Sequence, residues 1–394
     1  MAAVVAALAI ASVIAVLFYH FLFRKNRDSA HRIKTHHYAV PEMTGDGWET
    51  ASLDSENMDA NLVCELFNRI NDHAYQNIHS VLLVRDGKLV AEEYFPGLDS
   101  NGKYRVFTRD TLHTQQSVTK SVNSLLIGVA IDEHLIRSVD EKISTFFPEF
   151  AGENKDKVCL SHFLSMTSGL AWDQETYPYS DPRNDGYRIN HSNDPVGFLL
   201  GKPVVEMPGV KFVYSNGIAI VLGEIIHKVS GLRPDKFAAV HLFAPLGITA
   251  YDWKGTFADG TIHTGGGLYL RPRDMAKIGW LIANEGRWQE KQIVSEGWIR
   301  SSIKQQAPDR PYGYEWWLCP FKVRNQTIMS CRADGFGGQQ IFVFPSLHLV
   351  AVFTGWSPGR EEQFVDILRQ YILPATNPSP SSEKTPHSEG NKPL

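Results

Sequence analysis

The chain has 394 residues, 43% of them hydrophobic, and a formal net charge of −4. That length can bury one large core or two smaller ones, and the charge gives no electrostatic case for nucleic acid. Four cysteines (Cys64, Cys159, Cys319 and Cys331) are too few and too scattered for a disulfide framework or a C-x-x-C zinc site.

Ala2–Phe23 carries no charged residue and is long enough to cross a hydrocarbon core of about 30 Å as a helix. Arg24, Lys25 and Arg27 follow it, and neither a basic leader nor a small-x-small cleavage site accompanies it. An uncleaved single-pass anchor at residues 1–23 is therefore expected, with the membrane face left open. Residues 24–44 read as a polar juxtamembrane tether and 45–375 as the globular body. Residues 376–394, rich in Pro, Ser, Lys and Glu, read as a disordered tail.

Within the body, Asn61–Ala74 has a helical pattern. Ser80–Arg85 and Lys88–Phe95 flank Asp86-Gly87, a strong hairpin signal. From Ser117 to about Ile248 the chain reads mainly as helix and loop. Strands return at Tyr312–Leu318, Gln340–Phe344 and Leu349–Thr354. A closing helix, Glu361–Ile372, sets Phe364, Ile367, Leu368 and Ile372 on one face. If Glu315–Phe321 and Thr327–Ala333 form a hairpin turning near Asn325, Cys319 falls opposite Cys331, either bonded or as two reduced thiols. Strands at both ends with helices between predict a mixed α/β (α+β) body. Its single antiparallel sheet is built from both chain ends and flanked by helices, with a helical inserted region and a cleft between the layers.

The chemistry centres on Ser117-Val-Thr-Lys120, which opens an apolar-faced helix through Ala130. Residues i and i+3 are neighbours on a helix, so Lys120 can reach the Ser117 hydroxyl. The first helical turn also offers free N–H groups and the positive end of the dipole to a developing anion. S-x-x-K recurs at Ser100, Ser301 and Ser381, but those copies lie in polar or tail segments. Further on, Pro208-Gly-Val-Lys-Phe-Val-Tyr214-Ser-Asn216 brings a tyrosine to the start of a helix over Gly217–Val229. Tyr214 could relay a proton there, provided that cationic neighbours lower its pKa from about 10. Asn216 could orient the lysine or donate to a substrate carbonyl.

With Leu160-Ser-His-Phe-Leu-Ser-Met-Thr-Ser-Gly-Leu170 and Phe243-Ala-Pro-Leu-Gly-Ile248, these motifs resemble the serine β-lactamase-related hydrolases. That group spans class C β-lactamases, penicillin-binding carboxypeptidases, esterases and 6-aminohexanoate-dimer hydrolases, and the resemblance runs from about Gly47 to Tyr371. It implies a β-lactamase/transpeptidase-like fold and an acyl-enzyme mechanism with Ser117 as nucleophile, Lys120 as base and Tyr214 as proton relay. No metal or cofactor is implied; the partners are a small ester or amide substrate and, through the anchor, a membrane. The oligomeric state stays open.

The family's third motif, Lys-Thr-Gly, has two candidates here. His263-Thr-Gly-Gly-Gly267 leads into a Gly-Gly-Leu…Arg-Asp run that in related hydrolases buttresses the site. Asp334-Gly-Phe-Gly-Gly-Gln339 stands in the right chain order and is the one chosen. It implies an oxyanion hole from the backbone N–H groups of Ser117 and Phe336, with Gly337 allowing close approach of a ligand. No Lys-Thr pair precedes Gly335 to grip a carboxylate, which favours an esterase or linear amidase over a β-lactamase or D-alanyl carboxypeptidase. Trp172 and Asp181 are candidates for the acyl or amine pocket, Asp181 facing a substrate ammonium.

Gly355-Trp-Ser-Pro-Gly359 matches G-x-S-x-G, but only His387 in the tail lies downstream and Pro358 removes an oxyanion N–H, so Ser357 is rejected as nucleophile. The rival of another class is a non-catalytic membrane-anchored binding protein on the same scaffold.

Overall fold

A computed structural model describes residues 36–323 and 326–376. The expected anchor, most of the tether and all but the first residue of the tail lie outside the described residues. Among those described, no helix is long and apolar enough to cross a membrane.

The centre is a seven-stranded sheet of β1 (Glu49–Thr50), β2 (Ile78–Arg85), β3 (Lys88–Tyr94), β4 (Trp317–Val323), β5 (Gln326–Gly335), β6 (Gln339–Phe344) and β7 (Leu349–Gly355), in the order β1-β3-β2-β7-β6-β5-β4. The two ends of the chain meet where β7 pairs antiparallel with β2. One correction concerns the edge: β1 runs parallel to β3, with Glu49 opposite Lys88, so the sheet is mixed rather than antiparallel. Two residues carry no periodicity to announce that pairing.

Asp86 and Gly87 both have positive φ, +48° and +82°, as the tight β2–β3 turn demands. Every residue of β2 is buried, because the sheet is covered on both faces. Val81 and Leu83 enter a core with α1 (Ala60–Asn71) and the closing helical segment, which begins as Glu362–Ile367. Leu82 and Val84 enter the larger core on the other face, with α2 (Val118–Asp132), α3 (Asn216–Ser230) and α4 (Pro272–Ala283).

The β4–β5 hairpin forms, shifted by one residue. Cys331 lies opposite Leu318, and Cys319 opposite Ser330. Cys331 enters the larger core while Cys319 packs on the smaller one, and all four cysteines are free. A one-residue slip sends neighbouring side chains to opposite faces, which removes the proposed bridge. The strand expected at Tyr312 starts at Trp317 instead, because Glu315 takes a left-handed backbone, φ +60°, that an extended run cannot contain.

Candidate active site

α2 runs through the middle of the larger core, and Val118 through Ala130 are all buried. The helix reaches the surface only at its ends, at Ser117 before it and at Ile131 and Asp132 where it closes. Gln116, one residue before Ser117, has φ +48°, a sharp turn that throws the partly exposed Ser117 to the end of the helix. Ser117 stands at the N-cap position, yet its hydroxyl makes no cap bond. It is engaged instead by the Lys120 amine, with Nζ 3.1 Å from Oγ, and by the Tyr214 hydroxyl.

Lys120 is 1% exposed and also donates to the Gly265 carbonyl at 2.7 Å. Its Nζ lies 4.9 Å from the centroid of the Tyr214 ring. Burial lowers the amine's pKa to about 7, against a smaller upward pull from Glu315. Half of the lysine is then free base near neutral pH, the state a general base requires.

Tyr214 arrives from the loop before α3, whose N-cap Ser215 accepts from the Ile218 N–H at 3.2 Å. Its ring is partly exposed and stacks on Trp317 at 6.1 Å. The expected lowering of its pKa does not occur. Burial dominates and pushes the hydroxyl well up, with the Ser117 bond opposing it only in part. Tyr214 therefore keeps its proton and is a donor rather than a phenolate.

The end of β5 runs alongside the segment leading into Ser117. A Cβ on Gly335 would sit 2.4 Å from the Gln115 carbonyl oxygen, so only glycine permits this approach. Among the described residues, no acceptor takes the backbone N–H of Ser117 or of the next residue on that turn, Phe336. The Phe336 side chain is exposed and meets the Trp356 ring edge to face at 5.7 Å. Gly337 turns the chain beneath Trp356, its N–H 3.2 Å from Glu361 and its carbonyl accepting from the Ser357 N–H. Ser357, the rejected nucleophile, donates its hydroxyl to the Gln76 carbonyl and ties this turn to the sheet. Both third-motif candidates thus border the site, since Gly265 of the earlier one holds Lys120.

Asn216 is the first residue of α3, and its N–H donates to the Gln174 Oε1 at 2.8 Å. Among the described residues, neither Trp172 nor Asp181 makes a hydrogen bond to Ser117, Lys120 or Tyr214. Trp172 donates to the same Gln174 oxygen and lines a cavity of about 410 Å³ with Asp185 and Lys202, whose walls include none of Ser117, Lys120 and Tyr214. Asp181 is held by Arg183 through two bonds, 3.1 and 2.7 Å, which keep its carboxyl down at about 2. It is already matched by its own arginine, which removes the expected ammonium partner. Gln174 and Glu315 escaped the sequence reading, and Gly265 entered it only within the motif that was not chosen. Gln174 relays between loops and leaves no motif.

Comparison with known proteins bears on the family and the fold. A family model described as Beta-lactamase matches residues 76–369. The 6-aminohexanoate-dimer hydrolase of Paenarthrobacter ureafaciens is 24% identical over 299 residues, covering 70% of this chain and 72% of its own. Among solved structures, EstCE1, a hydrolase with promiscuous acyltransferase activity, superposes with a TM-score of 0.65 at 15% identity, over 81% of this chain and 99% of its own. The octameric penicillin-binding protein homologue from Pyrococcus abyssi does so with a TM-score of 0.62 at 19% identity, over 81% and 78%.

Proposed function

The chain belongs to the Beta-lactamase family, as a hydrolase of the serine β-lactamase-related kind, and from that premise we propose that it cleaves a small ester or linear amide through an acyl-enzyme on Ser117. The observation that carries the proposal is the buried Lys120 amine, 3.1 Å from the Ser117 hydroxyl and lowered to about 7.

Free-base Lys120 takes the Ser117 proton as Oγ attacks the substrate carbonyl. The N–H groups of Ser117 and Phe336 receive the oxyanion. Tyr214 gives its proton to the departing oxygen or nitrogen and is reprotonated from Lys120. Water then attacks the acyl-enzyme by the same groups in reverse and frees the acid.

Ester and linear amide substrates are favoured because Ala333-Asp334 precede Gly335, where the family pattern has Lys-Thr to hold a carboxylate. The dimer hydrolase relative and EstCE1 support the same choice. Residues 2–23, an uncharged apolar run, anchor the enzyme to a membrane; release of the full chain by alkaline carbonate would refute the anchor.

The test is hydrolysis of a short-chain chromogenic ester, a chromogenic cephalosporin and a linear aminohexanoate dimer by wild type and Ser117→Ala. Turnover of the ester or the dimer should fall by roughly 10³-fold or more in Ser117→Ala. Preference for the cephalosporin would select the β-lactamase branch. Equal background in both proteins, with no fluorophosphonate labelling of Ser117, would leave a binding scaffold.

A further inference from the structure

His263-Thr-Gly-Gly-Gly267, passed over as the third motif, closes the connection between the strands Tyr251–Trp253 and Leu268–Leu270. Among the described residues, the Gly265 carbonyl and the Ser117 hydroxyl are the hydrogen-bond partners of the Lys120 amine. Three consecutive glycines give such a turn little stiffness of its own. The residue before them supplies it. Thr264 is fully buried, and its hydroxyl donates to the Ala219 carbonyl of α3 at 2.7 Å. The same carbonyl accepts from the Asn123 amide of α2, one helical turn beyond Lys120, at 3.1 Å. A Cβ on Gly223 would sit 2.4 Å from the Thr264 hydroxyl, so α3 is notched where this side chain enters. On the other flank, the His263 ring bonds to the Asn190 amide oxygen at 3.1 Å.

The Ala219 carbonyl already has a donor in Asn123, so satisfying it does not call for a hydroxyl at position 264. The turn does. A free-base amine has two N–H groups and one lone pair. With one N–H held by the Gly265 carbonyl, the lone pair stays on the Ser117 hydroxyl. Once Lys120 has taken the proton, the same carbonyl accepts from an ammonium, which is a stronger, charge-assisted bond. The carbonyl therefore favours the state reached during attack, and a displacement of about 1 Å can cost roughly 10²-fold in rate.

We infer that Thr264 is a positioning residue for Lys120: bonded to the Ala219 carbonyl beside Asn123, it registers the glycine turn against α2 and α3 and holds the Gly265 carbonyl on the amine. The inference rests on the acyl-enzyme reading of the site. No bond to Thr264 is made or broken in the cycle: the proton passes from Ser117 to Lys120, and Tyr214 recovers from Lys120 the proton it gave to the leaving group. The titratable groups that act on the amine or its partners are Tyr214 from the loop before α3, Glu315 from the segment before β4 and His263 from the turn itself. Burial holds each of the three neutral near pH 7, and none is altered by a change at Thr264.

The rate of Ser117 labelling by a fluorophosphonate, followed against pH in the full chain, reads the base with no assumption about substrate. Thr264→Val replaces the hydroxyl by a methyl, which settles about 3.5 Å from a carbonyl oxygen and pushes the turn off α3. A looser Gly265 carbonyl destabilises the ammonium, so Lys120 loses its proton at lower pH. Wild type should show an acid limb near 7. Thr264→Val should lower that limb by about half a pH unit or more and slow the plateau by roughly 10–100-fold. Thr264→Ser, which keeps the hydroxyl and loses the methyl, should return both to near wild type. A residue that only fills space gives the opposite order, with Val close to wild type and Ser impaired. That order, or an unmoved limb in a folded Val protein, overturns the inference while leaving Ser117 as nucleophile. Thr264→Ala should match Val, and it supplies the measurement if the Val protein does not fold. Absence of labelling in wild type overturns the acyl-enzyme reading itself.

Discussion

At the scale of single residues, the site is governed by which groups lose water. Lys120 is fully enclosed and falls to about 7, whereas Tyr214, half-buried beside it, rises. The same burial thus leaves more of the amine unprotonated at rest and makes the phenol hold its proton more firmly. The activity of wild type should rise about tenfold per pH unit below pH 7 and level off above it, as Lys120 sheds its proton; a pH–rate profile of kcat/KM for the preferred ester reads this directly. Tyr214→Phe should lower kcat by roughly 10²–10⁴ with little change in folding, because a positioned proton donor to the leaving group is lost. A steady-state comparison with an activated ester, whose leaving group needs no proton, should show the smaller loss. The Ser117–Lys120 pair was legible in the sequence because i,i+3 proximity is local. The direction in which Tyr214 shifts was not, since it depends on how deeply the loop and α3 seat the ring.

At the scale of elements, α2 presents its nucleophile because the rest of the helix is locked. Gly128 packs against Trp298, and a Cβ there would sit 2.4 Å from the indole Cδ1. Gly128→Ala should therefore destabilise the protein by about 1–3 kcal/mol through overpacking, despite alanine's better helix propensity. The midpoint of urea unfolding measures it, and a rise in that midpoint would contradict the packing account. The β2–β3 hairpin and the closing helix were readable from Asp86-Gly87 and from the face of Phe364, Ile367, Leu368 and Ile372, all four of them buried. Two features were not readable. The β4–β5 register depends on a turn of unstated length, and the late start of β4 depends on Glu315 adopting a backbone that only its tertiary hydrogen bonds stabilise.

At the scale of the whole molecule, the sheet and the helical layer are tied by a buried ion cluster. Arg273, at the start of α4, reaches Glu92 of β3 at 2.5 Å and Asp46 at 3.2 Å, with its side chain 4% exposed. Arg273→Ala would strand Glu92 without its cation. The expected loss is about 3–5 kcal/mol, seen as a lower unfolding midpoint and lower activity at 37 °C than at 20 °C relative to wild type. The Arg-Asp run was expected as a buttress, and its Asp274 is fully buried between Arg271 and Lys277. That the same run also fastens β3 and the segment before β1 could not be seen without the fold.

The sequence by itself determined the chemistry available to this protein: a serine and a lysine one helical turn apart, a tyrosine at a helix start, and a glycine turn in the right order. These signals are local, carried by spacing and by backbone demands that few residues meet. Tertiary structure alone decided how the groups behave, because desolvation and cross-element contacts have no sequence period. It brought Gly265 to the lysine, matched Asp181 to Arg183 and set Trp172 in a cavity with Asp185 and Lys202. It parted Cys319 from Cys331 and enclosed Glu315 in the interior, where the distance between elements, and not the order of residues, sets the energy.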